Sequence, residues 1–322
     1  MTSQITANIN KAAAILRAGG LVAFPTETVY GLGADARNPA AIARVFAVKG
    51  RPTTHPLIVH LADIAELNQW ASMVPPAALL LARHFWPGPL TIVLPKAPDV
   101  LPAVTGGQET VALRIPAHPI AQALLREFGD GCVAPSANLF THVSPTTAQA
   151  VRDELGDQIE FILDGGPCAV GLESTIIDLS ANVPVLLRPG MISQAQLEAV
   201  LGSAIHTRQH ATTRAPGMHA LHYAPRTQAI LLPRELIREY LAAHAVPIAV
   251  LAFGETLAHC HYVTMPTAVA DYAHCLYDVL RRVDHGEYQL ILIEQVPETA
   301  EWDAVRDRLV KATALREKKS NV

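Results

Sequence analysis

Apolar side chains recur at helical spacing at Ile5, Ile9, Ala12, Ala13 and Leu16, and Gly19-Gly20 closes the stretch, so residues 5 to 18 are predicted to be helical. Leu21 to Phe24 then reads as a short buried strand. Asn38 before Pro39 marks a helix start, and the helix predicted over 39 to 48 delivers Lys49 at its C-terminal end. A strand is expected at Leu57 to Leu61. Helices near 75 to 85 and 119 to 128 alternate with strand-like runs at 90 to 94, 111 to 115, 160 to 163, 174 to 179 and 184 to 188. Ser193 to Gln196 forms a capping box that opens an apolar-striped helix ending at Gly202.

The periodicity breaks at 205 to 226, where IHTRQHATTRAPGMHALHYAPR carries two prolines and four histidines. This segment reads as a linker. Beyond it, QAILL, PIAVLAF and YQLILIE alternate with helix-like segments at 233 to 243, 267 to 284 and 300 to 314. That order predicts a small parallel, three-layer α/β domain over 227 to 322, after a first α/β domain over 1 to 204.

A chain of 322 residues that is 50% hydrophobic and 17% charged has the composition of folded domains, and its length suits two of them. The formal charge of -4 provides no general field toward nucleic acid or an anionic membrane, so any RNA contact is expected to be weak and local. Cys132, Cys168, Cys260 and Cys275 form no CxxC pair and read as buried thiols of a reducing compartment. The N-terminus has no apolar core with a small-residue cleavage site, and no apolar run reaches membrane-spanning length. A soluble, cytoplasmic protein without a membrane partner is the expectation.

Candidate chemistry sits in islands between the strands: PTETVYGLGADA (25 to 36), KGRPTTHPLIVH (49 to 60), FWPGPLT (85 to 91), ALRIP (112 to 116), APSAN (134 to 138), GLESTIID (171 to 178) and RPG (188 to 190). No Walker A pattern occurs, and the GxGxxA match at Gly31 to Ala36 lacks the helix and the later acid of a dinucleotide fingerprint. Lys49, Arg51, Arg114 and Arg188 fall in these islands beside Thr28, Ser136, Asn138, Ser144, Ser174 and Thr175, a set that suits a polyanion such as a triphosphate. Singly, each has a plainer use. Lys49 can cap a helix C-terminus, Ser144 before Pro145 can start a helix, Thr28 can close a turn and Trp86 can fill a core.

FPTETVYGLGADA, KGRP, HPLIVH, FWPGPLT, RIP, APSAN, GLESTIID and RPGMI, in this order, resemble the YrdC-like family of threonylcarbamoyl-AMP synthases. The linker APGMHALHYAP and the trailing α/β segment resemble the longer, two-domain branch. The resemblance implies a YrdC-like open twisted sheet followed by a linker and a small Rossmann-like domain. It also implies synthesis of threonylcarbamoyl-AMP from L-threonine, bicarbonate or CO2, and ATP, for tRNA modification. By the same resemblance Lys49, Arg51, Ser136 and Asn138 would face the nucleotide phosphates. L-threonine would be held by Thr28, His60, Arg114, Ser174 and the backbone of Ala134, with Arg114 on its carboxylate. ATP would meet Arg51, His55, Thr110, Ser136, Ser144, Arg188 and, from the linker, Tyr223. Mg2+ would bridge the phosphates through water and phosphate oxygens, no side chain is assigned as a metal ligand or general base, and the product would pass to the tRNA threonylcarbamoyl transferase machinery.

Three departures stand out against this pattern. His55 occupies a position where relatives carry Asn or Asp, Phe140-Thr141 replaces Ser-Gly, and the linker reads Ala215-Pro-Gly-Met-His-Ala220 where Ser and an aromatic are more usual. His219-x-x-His222 has no cysteine or carboxylate beside it, so it is not read as a zinc set. The linker is expected to act as a lid over the nucleotide. Competing readings are an RNA-binding module, a carbamoyl-handling domain like that of hydrogenase maturation proteins, and islands that only build turns.

Overall fold

A computed structural model describes residues 3–207, 213–219 and 221–314. Two compact units divide the chain, one of Met1–Phe140 with Ser144–Met218, the other of Thr141–Val143 with His219–Val322.

The first unit is built on ten strands: β1 (Val22–Phe24), β2 (Gly31–Asp35), β3 (Ile58–His60), β4 (Leu90–Pro95), β5 (Thr110–Arg114), β6 (Cys132–Val133), β7 (Phe161–Ile162), β8 (Thr175–Asp178), β9 (Val185–Arg188) and β10 (His206–Thr207). They lie in the order β10-β9-β8-β4-β5-β3-β6-β2-β1-β7, with parallel and antiparallel pairs mixed. Paired residues share a face of such a sheet, so the registers sort the strands' side chains into two layers.

One face carries Ala23, Leu32, Ala34, Val59, Ile92, Leu94, Leu113, Val133 and Ile177. Helices Pro39–Lys49, Pro76–Phe85, Ala148–Leu155 and Gln194–Leu201 cover it with their apolar stripes. On the other face, helices Ser3–Arg17 and Pro119–Phe128 cover only the part made by Val22, Phe24, Cys132 and Ala134. The rest of that face, Ile58, Val93, Ala112 and Ile176, clusters with Val185 and Leu187 of the neighbouring strand and is covered by Ala215 and Met218, from an irregular strip rather than a helix. This thinly covered half of the sheet is where the polar islands converge.

The helices predicted from periodicity are present, with ends that coincide with the prediction or differ by up to three residues. Gly31–Asp35 differs from the reading as an inter-strand island, for it forms β2. Its glycines answer to packing. A Cβ on Gly33 would stand 2.8 Å from the Phe24 ring, 3.0 Å from the Val22 carbonyl and 3.1 Å from Cys132 Sγ. Ser144 starts no helix, because Thr147 is the residue whose side chain accepts the Ala150 N–H and caps Ala148–Leu155.

The second unit holds β11 (Ala229–Leu232), β12 (Ile248–Ala252), β13 (His261–Thr264) and β14 (Leu290–Glu294), all parallel in the order β11-β14-β12-β13. Helices Arg234–Ala243, Val269–Asp284 and Asp303–Ala312 complete it. Burial on both faces explains why these strands read as unbroken apolar runs. The strand His261–Thr264 escapes that reading because its side chains are exposed or half-buried.

Candidate active site

The loop between β1 and β2 folds on itself through Thr26. Its hydroxyl donates to the Val29 carbonyl at 2.6 Å and accepts from the N–H groups of Thr28 and Val29. Thr28 Oγ1 lies 2.8 Å from Thr26 Oγ1 and accepts from Arg114 Nη1 at 2.9 Å. The Thr26 proton is already on Val29, so Thr28 donates to Thr26, and the chain Arg114→Thr28→Thr26→Val29 has one direction. Thr26, and not Thr28, therefore closes the turn.

Arg114 ends β5 beside His60, which ends β3 in the paired register. Its Nη2 donates to Glu27 Oε1 at 2.7 Å and its Nε to the Gly88 carbonyl at 3.3 Å. Glu27 Oε2 accepts the Ala117 N–H at 2.9 Å. Of the five guanidinium N–H groups, two remain beyond these bonds among the described residues. Burial first, then the Arg114 charge, pull the His60 imidazole down to about 3, so it is neutral at physiological pH. Its buried Nδ1 has no hydrogen-bond partner among the described residues.

Across the sheet, the Ser174 hydroxyl lies 2.7 Å from that of Thr91 and accepts from Arg188 Nη2 at 3.0 Å. Arg188 also donates to the carbonyls of Ser174 and Pro216. Ser144 donates to Glu173 Oε1 at 2.5 Å. The two loops are joined by backbone bonds from Val170 and Gly171 to Glu27 and Thr28. Thr28, Ser144 and Ser174 are wholly enclosed in this arrangement.

A further group forms where Pro39–Lys49 ends. Gly50 takes a left-handed turn with φ of 61°, and Lys49 Nζ donates to the carbonyls of Ser136 and Asn138 at 2.5 Å each. The lysine thus fastens the APSAN loop rather than its own helix end. Burial and the neighbouring Arg51 push its ammonium well below the usual lysine range, while Glu154 acts in the opposite sense. Arg51 donates to the Pro56 carbonyl at 3.0 Å, and Ser136 bridges to Gly31. His55 stands edge-on to Phe140 at 5.3 Å.

Thr110 begins β5, four residues from Arg114 and on the same face, roughly 13 Å away at the usual rise per residue. The strip 214–218 runs over this face. Arg214 exchanges bonds with Gln108 and donates to the Gly106 carbonyl, and Pro216 accepts from Arg188. Tyr223 belongs to the second unit. It is buried there with φ of 60°, its ring 5.8 Å from Tyr277 and the Arg308 guanidinium 5.1 Å above it.

The structure thus gathers Thr28, His60, Arg114 and, through Arg188, Ser174 on one sheet face, and Lys49, Arg51, Ser136 and Asn138 around one loop. Glu27, Thr26, Thr91 and Glu173 were missed from sequence. Glu27 and Glu173 stood in plain view as the acids of two islands otherwise read for cations and hydroxyls.

Residues 14–190 match the family model described as "Telomere recombination", that of the Sua5, YciO and YrdC proteins, and residues 192–314 match "Threonylcarbamoyl-AMP synthase, C-terminal domain". The chain is similar to the threonylcarbamoyl-AMP synthase of Bacillus subtilis, 41% identical, with 98% of this chain and 96% of that protein aligned. It is 34% identical to the Schizosaccharomyces pombe protein of the same name, over 97% of this chain and 90% of that one. Among solved structures, Pyrococcus abyssi Sua5 complexed with L-threonine superposes with a TM-score of 0.90 at 41% identity, covering 95% of this chain and 94% of that one.

Proposed function

The chain belongs to the threonylcarbamoyl-AMP synthase family, and from that premise we propose that it condenses L-threonine, bicarbonate or CO2, and ATP into threonylcarbamoyl-AMP with release of pyrophosphate. In this reading it is a nucleotidyltransferase of the cytoplasm that hands its product to the machinery transferring threonylcarbamoyl to tRNA. The observation that supports it most is the polarity of one sheet face. Arg114, with two uncommitted N–H groups, ends a strand that Thr110 begins, while Lys49 and Arg51 precede the adjacent strand. An amino acid at one end and a nucleotide at the other fit that span.

Arg114 takes the threonine carboxylate, since a guanidinium matches two oxygens. Thr28, Ser174 and the Ala134 backbone frame the same substrate. His60 is neutral and too weak a base to hold a proton at pH 7, so it orients without charge. The threonine amine and bicarbonate give a carbamate whose oxygen attacks the α-phosphorus as pyrophosphate leaves. Such a step needs positioning and charge neutralisation more than a base. Lys49 and Arg51, with Ser136 and Asn138, face the phosphates, and His55, Thr110, Ser144 and Arg188 complete the ATP set within the first unit.

Among the described residues no group of three His, Cys, Asp or Glu side chains is placed to hold a metal. Glu27 and Glu173 are bonded to Arg114 and Ser144. Mg2+ would then come bound to the nucleotide and would supply charge neutralisation at the phosphates beside Lys49 and Arg51, with no side chain assigned to hold it.

The net charge of -4 argues against RNA binding as the main role and leaves room for a weak local contact. Pyrophosphate release from ATP, measured with and without threonine in bicarbonate buffer, tests the reading. Release that does not depend on threonine would overturn it.

A further inference from the structure

Glu27 is an acid in a site assembled to receive anions. Its side chain is buried, with the carboxylate and Arg114 guanidinium 10% and 5% exposed. One oxygen receives Arg114 Nη2 at 2.7 Å, the other the Ala117 N–H at 2.9 Å. The Glu27 backbone carbonyl accepts the Val170 N–H, so the residue is held from both ends.

We propose that Glu27 is the positioning residue for Arg114, fixing the guanidinium plane so that its uncommitted N–H groups meet the substrate carboxylate. The proposal rests on the reading of Arg114 as the threonine carboxylate anchor. Three bonds from three directions, to Glu27, Thr28 and Gly88, leave the guanidinium no rotational freedom. Of these only the one to Glu27 is an ion pair, and charge-assisted bonds are the strongest of their kind. The carboxylate also compensates a buried cation before the substrate arrives, which a neutral partner cannot do. Glutamine in its place has one acceptor oxygen and one donor NH2, so it cannot receive both Arg114 and Ala117.

Threonine and ATP dependence of pyrophosphate release should be measured for the full chain and for Glu27→Gln. The expected result is a threonine KM raised by about tenfold or more, with the ATP KM within about twofold of wild type, because the change is confined to the carboxylate anchor. In Glu27→Ala, added formate should restore part of the activity by lying between Arg114 and the Ala117 N–H. Equal losses toward both substrates, or an unchanged threonine KM in Glu27→Gln, would overturn the proposal while the functional reading stands. Absence of threonine-dependent release in the wild-type chain would instead remove the reading on which the proposal rests.

Discussion

Lys49 shows how one side chain serves structure and chemistry together. Two of its three N–H groups hold the Ser136 and Asn138 carbonyls, which leaves one for a ligand. A triphosphate would offset the burial that lowers its proton affinity. Lys49→Ala should therefore reduce turnover by roughly 10²-fold or more, the scale of a lost preorganised donor. Near-normal pyrophosphate release from a folded Lys49→Ala chain would show the lysine to be a tie between helix and loop. His60 makes a separate prediction through pH. Its folded value of about 3 lies below the usual 6.5, so the unfolded chain binds the extra proton between those limits. The stability this provides is complete above pH 6.5 and falls on acidification, by about 1.4 kcal/mol per pH unit in mid-window. Denaturant melts between pH 6.5 and 5 should show wild type losing stability relative to His60→Gln, and parallel curves would refute the assignment.

At the scale of elements, short strands and well-capped helices place these groups. Asn38 Oδ1 accepts the N–H groups of Ala40 and Ala41 at 3.0 and 3.2 Å, and Gly50 closes the other end of the helix. Asn38→Ala should cost about 1 kcal/mol of stability. It should leave ATP affinity unchanged, because Lys49 is fixed at the far end by its own bonds to the APSAN loop. A fall in both, measured by denaturation and calorimetric ATP titration, would mean that fraying at the first turn reaches the last. The caps at Asn38 and Ser193 were readable because each is a local pattern. Thr147 was not, because Ser144-Pro145 offers an equally good local start, and the Ser144 hydroxyl is drawn away by Glu173, distant in sequence.

Over the whole molecule, the question is what the segment between the two α/β patterns does. The part up to Met218 belongs with the first unit, where Ala215 and Met218 pack on Ile58, Val93, Ala112 and Ile176. His219 onward, with Tyr223, belongs to the second. A chain ending after residue 204 loses the strip and uncovers that apolar patch on the face that carries Arg114 and Arg188. Its ATP affinity is expected to fall by about tenfold or more, with product yield following, since a labile adenylate then meets water. Equal ATP affinity and yield for fragment and full chain would show that the strip is a tether and not a lid.

Periodicity, caps and glycine stops determined most helices, the apolar strands and the two-part α/β order, because those signals act over a few neighbouring residues. Ordered islands of Lys, Arg, Ser and Thr pointed to the family and to a polyanion. What only the tertiary structure decided is how those islands pair. That Gly31–Asp35 is a strand depends on the close approach of Phe24 and Cys132. That Arg114 comes with its own carboxylate depends on a contact between residues 87 apart in the chain. Hydrogen bonds across such separations follow from strand order and register, which no local pattern encodes, and they turn the cations and acids of separate islands into one arrangement.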